Sequence, residues 1–148
     1  MKLSQNFNLN EFTQSASAKR LGISNEPTPE VIDNLQMLVT NVLQPLRTAL
    51  GRSATVTSGY RSPAVNKAVG GVKTSQHSEG KAVDIVVAGV APYDVVQMLL
   101  KLNLPFDQAI NEFNTWTHIS FNQGSNRKQV LTAKKTDGKT RFINGLFK

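Results

Sequence analysis

The chain has 148 residues, the length of one ordinary domain, and it contains no cysteine, which excludes disulfides and thiolate metal ligands. Its 39% apolar and 18% charged residues are typical of a folded globular protein, and no segment has the roughly 20 apolar residues of a membrane-spanning helix. The formal net charge of +7 favours polyanionic partners, but the basic residues are scattered singly or in pairs without an aromatic stripe, so we expect no nucleic-acid partner.

The first 26 residues are predicted to form a helix-bearing lead-in. Asn8 or Asn10 can cap its helix, because an amide side chain there accepts a hydrogen bond from the first helical turn, and the helix should end near residues 21–23. The lead-in precedes a core over residues 27–148. We expect the two parts to form a single, monomeric domain over residues 1–148.

A longer amphipathic helix is predicted next. Thr28 is a good N-cap, Pro29 suits the first helical position, and apolar residues recur at helical spacing from Val31 to Leu46. Pro45 lies inside this pattern. Because proline has no N–H and its ring clashes with the preceding turn, we expect it to kink or break the helix.

The rest of the chain alternates short β-branched runs with two helical segments and a polar loop over residues 73–79. The predicted strands are 54–57, 81–87, 106–113, 116–121, 129–134 and 139–143. The predicted helices are one that starts at Ser62-Pro63 and ends at Gly70-Gly71, and one that begins at Pro92. The two hairpin turns are Asn114-Thr115 and Asp137-Gly138. Because helices cluster early and strands late, we expect an α+β domain with helices on one side of a small antiparallel sheet.

The segment from Ser75 to Val87 places a loop histidine just before a strand. Strand alternation sends Asp84 to one face among small side chains. Gly80 lets the backbone turn tightly, so that His77 can fold back over the same face. The two side chains would offer one nitrogen and one oxygen ligand to a metal ion.

The other histidine, His118, lies in a second predicted strand, on the face opposite to Ile119. A three-residue loop over residues 114–116 would place Glu112 directly across from His118, whereas a two-residue loop would pair Glu112 with Thr117. Two imidazoles, one carboxylate and an open fourth position are typical of a hydrolytic zinc site, where water acquires a pKa of roughly 7. A nearby carboxylate would act as general base, and Glu112 is the candidate.

Three sequence blocks occur in a fixed order: Ser58-Gly59-Tyr60-Arg61-Ser62 with Asn66, His77-x-x-Gly80-x-Ala82-x-Asp84, and Trp116-x-His118-x-Ser120. With these blocks the chain resembles the zinc D-Ala-D-Ala carboxypeptidases and L-alanyl-D-glutamate endopeptidases of the Hedgehog/D,D-peptidase fold, many of them phage endolysins. The resemblance implies the same α+β fold, a Zn²⁺ cofactor and the peptidoglycan stem peptide as substrate.

The resemblance also implies roles for individual residues. His77, Asp84 and His118 become the zinc ligands, and Arg61 becomes a catalytic-site residue that grips a substrate carboxylate through its planar fork. Ser75, Tyr60 and Trp116 are further substrate-binding candidates, although Tyr60 and Trp116 equally suit core packing. Several relatives carry the catalytic acid three residues before the last histidine, where this chain has Thr115, so Glu112 is assigned from the residues alone.

The lead-in block Phe12-Thr13-x-Ser15 and the long helix resemble phage and prophage members of the family. This likeness implies a bacteriophage protein that is made in the host cytoplasm without a signal peptide and acts at the cell wall. Two other hypotheses stay open: a non-catalytic zinc-binding module of the wall or the virion, and a basic nucleic-acid-binding domain that is indifferent to chelators. The sequence does not choose between carboxypeptidase and endopeptidase action.

Overall fold

The first third of the chain is helical in the computed structural model, which describes residues 1–148. The helices are α1 (Leu9–Thr13), α2 (Ala16–Leu21), α3 (Pro29–Leu38) and α4 (Gln44–Leu50). Asn8 caps α1, and Thr28 caps α3 by accepting a hydrogen bond from the Val31 N–H. Both caps agree with the sequence-based expectation. The lead-in therefore contains two short helices where the sequence predicted one.

Pro45 does not end the long helix. Residues Val39–Leu43 form a π-helical turn between α3 and α4, and the helical run continues to Leu50. A π-helical turn is wider than an α-helical one, so it leaves room for the pyrrolidine ring. Pro45 also lies at the start of α4, where the absence of a backbone N–H costs no hydrogen bond. The predicted break is therefore replaced by a local change of helical pitch.

Six strands form one sheet in the order β1-β2-β4-β3-β5-β6. They are β1 (Ala54–Ser58), β2 (Ala82–Val87), β3 (Gln108–Glu112), β4 (Trp116–Ser120), β5 (Gln129–Thr136) and β6 (Lys139–Asn144). The remaining helices are α5 (Pro63–Ala68) and α6 (Pro92–Lys101), and a 3₁₀ turn, Gln76–Glu79, lies within the predicted polar loop. The α+β fold is confirmed.

One pair of neighbouring strands departs from the antiparallel expectation: β3 and β5 are parallel. The loop over residues 121–128 carries the chain from the end of β4 past the start of β3. The backbone N–H groups of Lys128 and Gln129 donate to the carbonyls of Phe106 and Asp107 at 3.1 and 2.9 Å. Because β5 thus begins beside the beginning of β3, the two strands run in the same direction.

The core lies on the helix-covered face of the sheet. Alternation along β2 sends Val83, Ile85 and Val87 into a cluster of 21 buried residues, to which the lead-in adds Phe7 and Phe12. Asp84 lies on the other face of β2. No helix in the structure combines the length and the apolar character needed to cross a membrane.

Candidate metal and catalytic site

His77 is held in a single orientation by its local backbone. It lies in the 3₁₀ turn that Gly80 ends with a φ of 73°, and its N–H donates to the Ser75 hydroxyl at 3.2 Å. The ring Nδ1 lies 2.8 Å from the carbonyl oxygen of Gly59. Because a carbonyl only accepts, Nδ1 carries the proton and the Nε2 lone pair is free for a metal.

Asp84 and His118 are direct cross-strand partners on β2 and β4. The Asp84 Oδ1 atom lies 3.0 Å from Nδ1 of His118 and 3.6 Å from Nε2 of His77. One ligand atom from each of the three residues lies within 4.8 Å of the other two. Because Zn–N and Zn–O bonds are about 2.0–2.2 Å, ligands of one ion lie roughly 3–4 Å apart, so small side-chain adjustments suffice for zinc.

The charge state of Asp84 also suits a metal ligand. Burial by itself would raise the pKa of this carboxyl, but the hydrogen bond with His118 and the close approach of the two imidazoles hold the pKa well below the usual range. The carboxylate is therefore ionised at neutral pH. Two nitrogens and one carboxylate oxygen, without cysteine, match a hydrolytic zinc site rather than a closed structural one.

The position of Glu112 differs from the predicted one. The β3–β4 loop comprises residues 113–115, so Glu112 pairs with Trp116, and Ile110 is the direct partner of His118. The predicted cross-strand pair of Glu112 with His118 is therefore wrong, as is its alternative with Thr117. Glu112 still lies on the site face, two pairs further along the ladder, because residues two apart on a strand share a face.

The surroundings of Glu112 set its proton affinity. Burial raises the pKa of its carboxyl, and the negative charge of Asp84 raises it further. Glu112 and the three candidate ligand residues line one cleft of about 850 Å³. A half-buried carboxylate with a raised pKa beside a metal site is suited to proton transfer.

Other predicted substrate-binding residues divide between the cleft and the core. Arg61, Ser75 and Trp116 line the cleft, and Nη2 of Arg61 donates to the Ser75 hydroxyl at 3.4 Å. The Nε of Arg61 and the indole N–H of Trp116 are buried without a hydrogen-bond partner. Tyr60 does not line this cleft, because the residue is 4% exposed and belongs to the core cluster.

No sequence motif indicated the ionic network beside the metal loop, which is centred on a buried carboxylate. Asp107 is 1% exposed and accepts two hydrogen bonds from the Arg127 side chain, at 3.0 and 2.8 Å, and one from Gln76 at 3.1 Å. The bonds from Arg127 are the main reason that the pKa of Asp107 falls to about 2. All three residues line the cleft, as does Phe142 of β6. Only the adjacency of Gln76 to His77 could have suggested any of them.

Comparison with known protein families matches the part of the chain that contains the candidate site. No individual curated protein matches the chain. The sequence model of the family described as Peptidase M15 matches residues 5–120, which include the lead-in helices and strands β1 to β4. The matched range contains the three candidate ligand residues, Arg61 and Glu112, and ends before β5. Since it covers more than half of the sequence, the chain belongs to the Peptidase M15 family and is a zinc metallopeptidase, a hydrolase for which the family implies a peptidoglycan substrate.

Proposed function

We propose that this zinc peptidase hydrolyses a bond in the stem peptide of bacterial peptidoglycan, of the D-Ala-D-Ala carboxypeptidase or the L-alanyl-D-glutamate endopeptidase type. The observation that carries the proposal is the convergence of His77, Asp84 and His118 within an open cleft that also contains an arginine and a second carboxylate. The likeness of the lead-in to phage members supports a phage-encoded, endolysin-like protein acting at the cell wall. We take residues 1–148 as one peptidase unit, since residues of the lead-in and the tail pack on the same core.

The three ligand residues hold the metal in this proposal. When bound, zinc supplies Lewis-acid chemistry, which activates water near neutral pH and polarises a carbonyl group. The hydrogen bond from His77 Nδ1 to Gly59 fixes the ring so that Nε2 faces the other two ligands. The Asp84 carboxylate offsets part of the charge of the dication.

Glu112 is the proposed general base and acid. Its carboxylate takes a proton from the attacking water and then passes it to the leaving nitrogen of the scissile bond. A raised pKa favours this double role, because the group must both accept and release a proton near the working pH.

Arg61 is the proposed substrate anchor. Its side chain lines the cleft, and its Nη1 makes no hydrogen bond within the protein, so its fork has donors left for a substrate carboxylate. Ser75 holds one end of the guanidinium and so limits its rotation. Trp116 contributes a wall of the cleft.

The experiment is digestion of purified peptidoglycan by the wild-type chain, with and without a chelator, followed by mass spectrometry of the fragments. We expect soluble fragments whose masses identify the bond, and none with the chelator. The Glu112→Gln variant should keep its zinc and lose about 100- to 10,000-fold in rate, whereas the exposed control Glu26→Gln should cleave normally. Zinc binding without any released fragment would instead indicate a non-catalytic module.

A further inference from the structure

The positive charge of the chain is concentrated beyond the family match. Residues 121–148 contain seven of the 17 Lys and Arg residues and one of the ten Asp and Glu residues. They therefore carry +6 of the formal charge of +7, and residues 1–120 are nearly neutral. The source of this charge is mainly the β5–β6 hairpin and the last residue.

The cations of the hairpin are placed without neutralising partners. Lys134 on β5 lies directly opposite Arg141 on β6, and both side chains are exposed. Like charges in this position destabilise a sheet. Of the cations in residues 121–148, only Arg127 lies within 4.0 Å of a carboxylate. An arrangement that costs stability and leaves charge unpaired favours an anionic ligand.

A groove connects this charge to the peptidase cleft. A cavity of about 640 Å³ is lined by Lys134, Lys135 and Lys148 together with Phe113 and Trp116. Trp116 also lines the cleft of the metal site, so the two cavities share a wall. Phe142 of β6 also lines the metal cleft and is 58% exposed.

We propose that this groove, which we call the Trp116–Lys134 groove, is an extended subsite that binds carboxylates of the peptidoglycan polymer beyond the scissile bond. The inference rests on the proposed function, since the ligand is a further part of the same substrate. Stem peptides carry free carboxylates, and lysines bind them as point charges on flexible stems. Polymeric peptidoglycan would thus bind more tightly than a short peptide that ends within the metal cleft.

Nucleic acid is the competing polyanion. Phe113 and Trp116 pack on each other with ring centroids 5.5 Å apart and planes tilted by 58°. Their contact leaves no pair of free parallel ring faces on which successive bases could stack. The continuity with a peptidase cleft favours the wall polymer.

The test compares two double variants that remove the same charge. Lys134→Gln with Lys135→Gln alters the groove, and Lys19→Gln with Arg20→Gln alters an equally exposed basic pair on α2. Co-sedimentation of the zinc-loaded proteins with purified sacculi is measured across a series of salt concentrations. We expect the groove variant to bind about five- to tenfold more weakly, with a smaller salt dependence, and the α2 variant to bind as the wild type does.

Equal losses in the two double variants would overturn the subsite, because net charge alone would then explain the binding. The subsite would also be overturned if the groove variant lost affinity for duplex DNA but not for sacculi. Hydrolysis of a short soluble stem peptide by the wild-type chain is measured in parallel. If the peptide is cut and sacculus binding is unchanged in the groove variant, the subsite fails and the peptidase stands. If nothing is cut and the groove variant still loses sacculus binding, the peptidase proposal fails and the wall-binding groove stands.

Discussion

At the scale of single residues, the site depends on hydrogen bonds that fix its ligands before any metal is bound. The Gly59 carbonyl determines the tautomer of His77, and the cross-strand register places His118 against Asp84. Such preorganisation lowers the conformational cost of metal binding, because the side chains need little further ordering. Substitution of a ligand should therefore reduce metal affinity more than fold stability.

The Asp84→Asn variant should bind zinc at least about 100-fold more weakly, since the only ionised ligand becomes a neutral amide. Competition with a chromophoric chelator measures the affinity. Asp94→Asn, at an exposed position on α6, removes the same charge and should leave zinc binding unchanged. Equal zinc affinity in the two variants would contradict the ligand assignment.

At the scale of elements, two long-range contacts hold the metal loop. The end of β1 is packed against α1 so closely that a Cβ at Gly59 would lie 2.4 Å from the Phe12 carbonyl oxygen. At the other side of the loop, Asp107 links Gln76 to Arg127 in the segment that crosses the start of β3. The loop is thus positioned by both the lead-in and the β4–β5 connection.

We expect Gly59→Ala to destabilise the protein by about 2 kcal/mol, because the added methyl group meets backbone and must displace α1 or β1. The same displacement should weaken zinc binding by moving the carbonyl that fixes His77. Urea denaturation and zinc titration measure the two effects. Ser53→Ala, an exposed change just before β1, is the control and should alter neither quantity.

Asp107→Asn should lower the free energy of unfolding by about 2 kcal/mol at neutral pH, because a buried carboxylate that accepts hydrogen bonds from an arginine is lost. The pKa of Asp107 is about 2 when folded and 3.8 ordinarily, so its stabilisation is fully present above the ordinary value. It disappears as the pH falls through the folded pKa. The difference in free energy of unfolding between wild type and variant should therefore shrink below about pH 4. A difference that stays constant down to pH 2 would contradict this ionic role.

At the scale of the whole molecule, the metal site joins parts of the chain that are far apart in sequence. The proposed ligands come from the 3₁₀ turn, β2 and β4, and the core beneath them includes side chains from the lead-in. An ion bound only by the folded state stabilises the entire fold through mass action. Stability should therefore depend on zinc, even for segments that do not touch it.

Chelation should lower the melting temperature by about 10 °C when zinc had been present at roughly 1,000 times its dissociation constant, which corresponds to about 4 kcal/mol. Addition of zinc should restore the original value. Differential scanning calorimetry measures the shift. Asp84→Asn should shift by no more than about 4 °C, because zinc that binds roughly 100-fold more weakly is present at only about ten times its dissociation constant. An equally large shift in that variant would mean that the chelator acts elsewhere.

The sequence by itself determined the features that depend on near neighbours in the chain. Local backbone chemistry accounts for the Thr28 cap, the helix that begins at Pro92 and the Asp137-Gly138 turn. Alternation along β2 and β4 places Asp84 and His118 on the face of the sheet away from the core. These local rules were sufficient to predict the α+β fold and the side chains that converge on the metal site. They were also sufficient for the family, because its motifs lie within short segments.

Only the tertiary structure decided how the segments meet. The register of the β3–β4 hairpin placed Glu112 opposite Trp116, since a loop of three residues can start at more than one position and packing selects the one that fits. The parallel β3–β5 pair and the Asp107–Arg127 ion pair join residues about 20 positions apart, for which periodicity carries no signal. Such contacts are chosen by the packing of the whole domain, and the same packing brought the exposed Phe142 and the lysines of the hairpin beside the cleft.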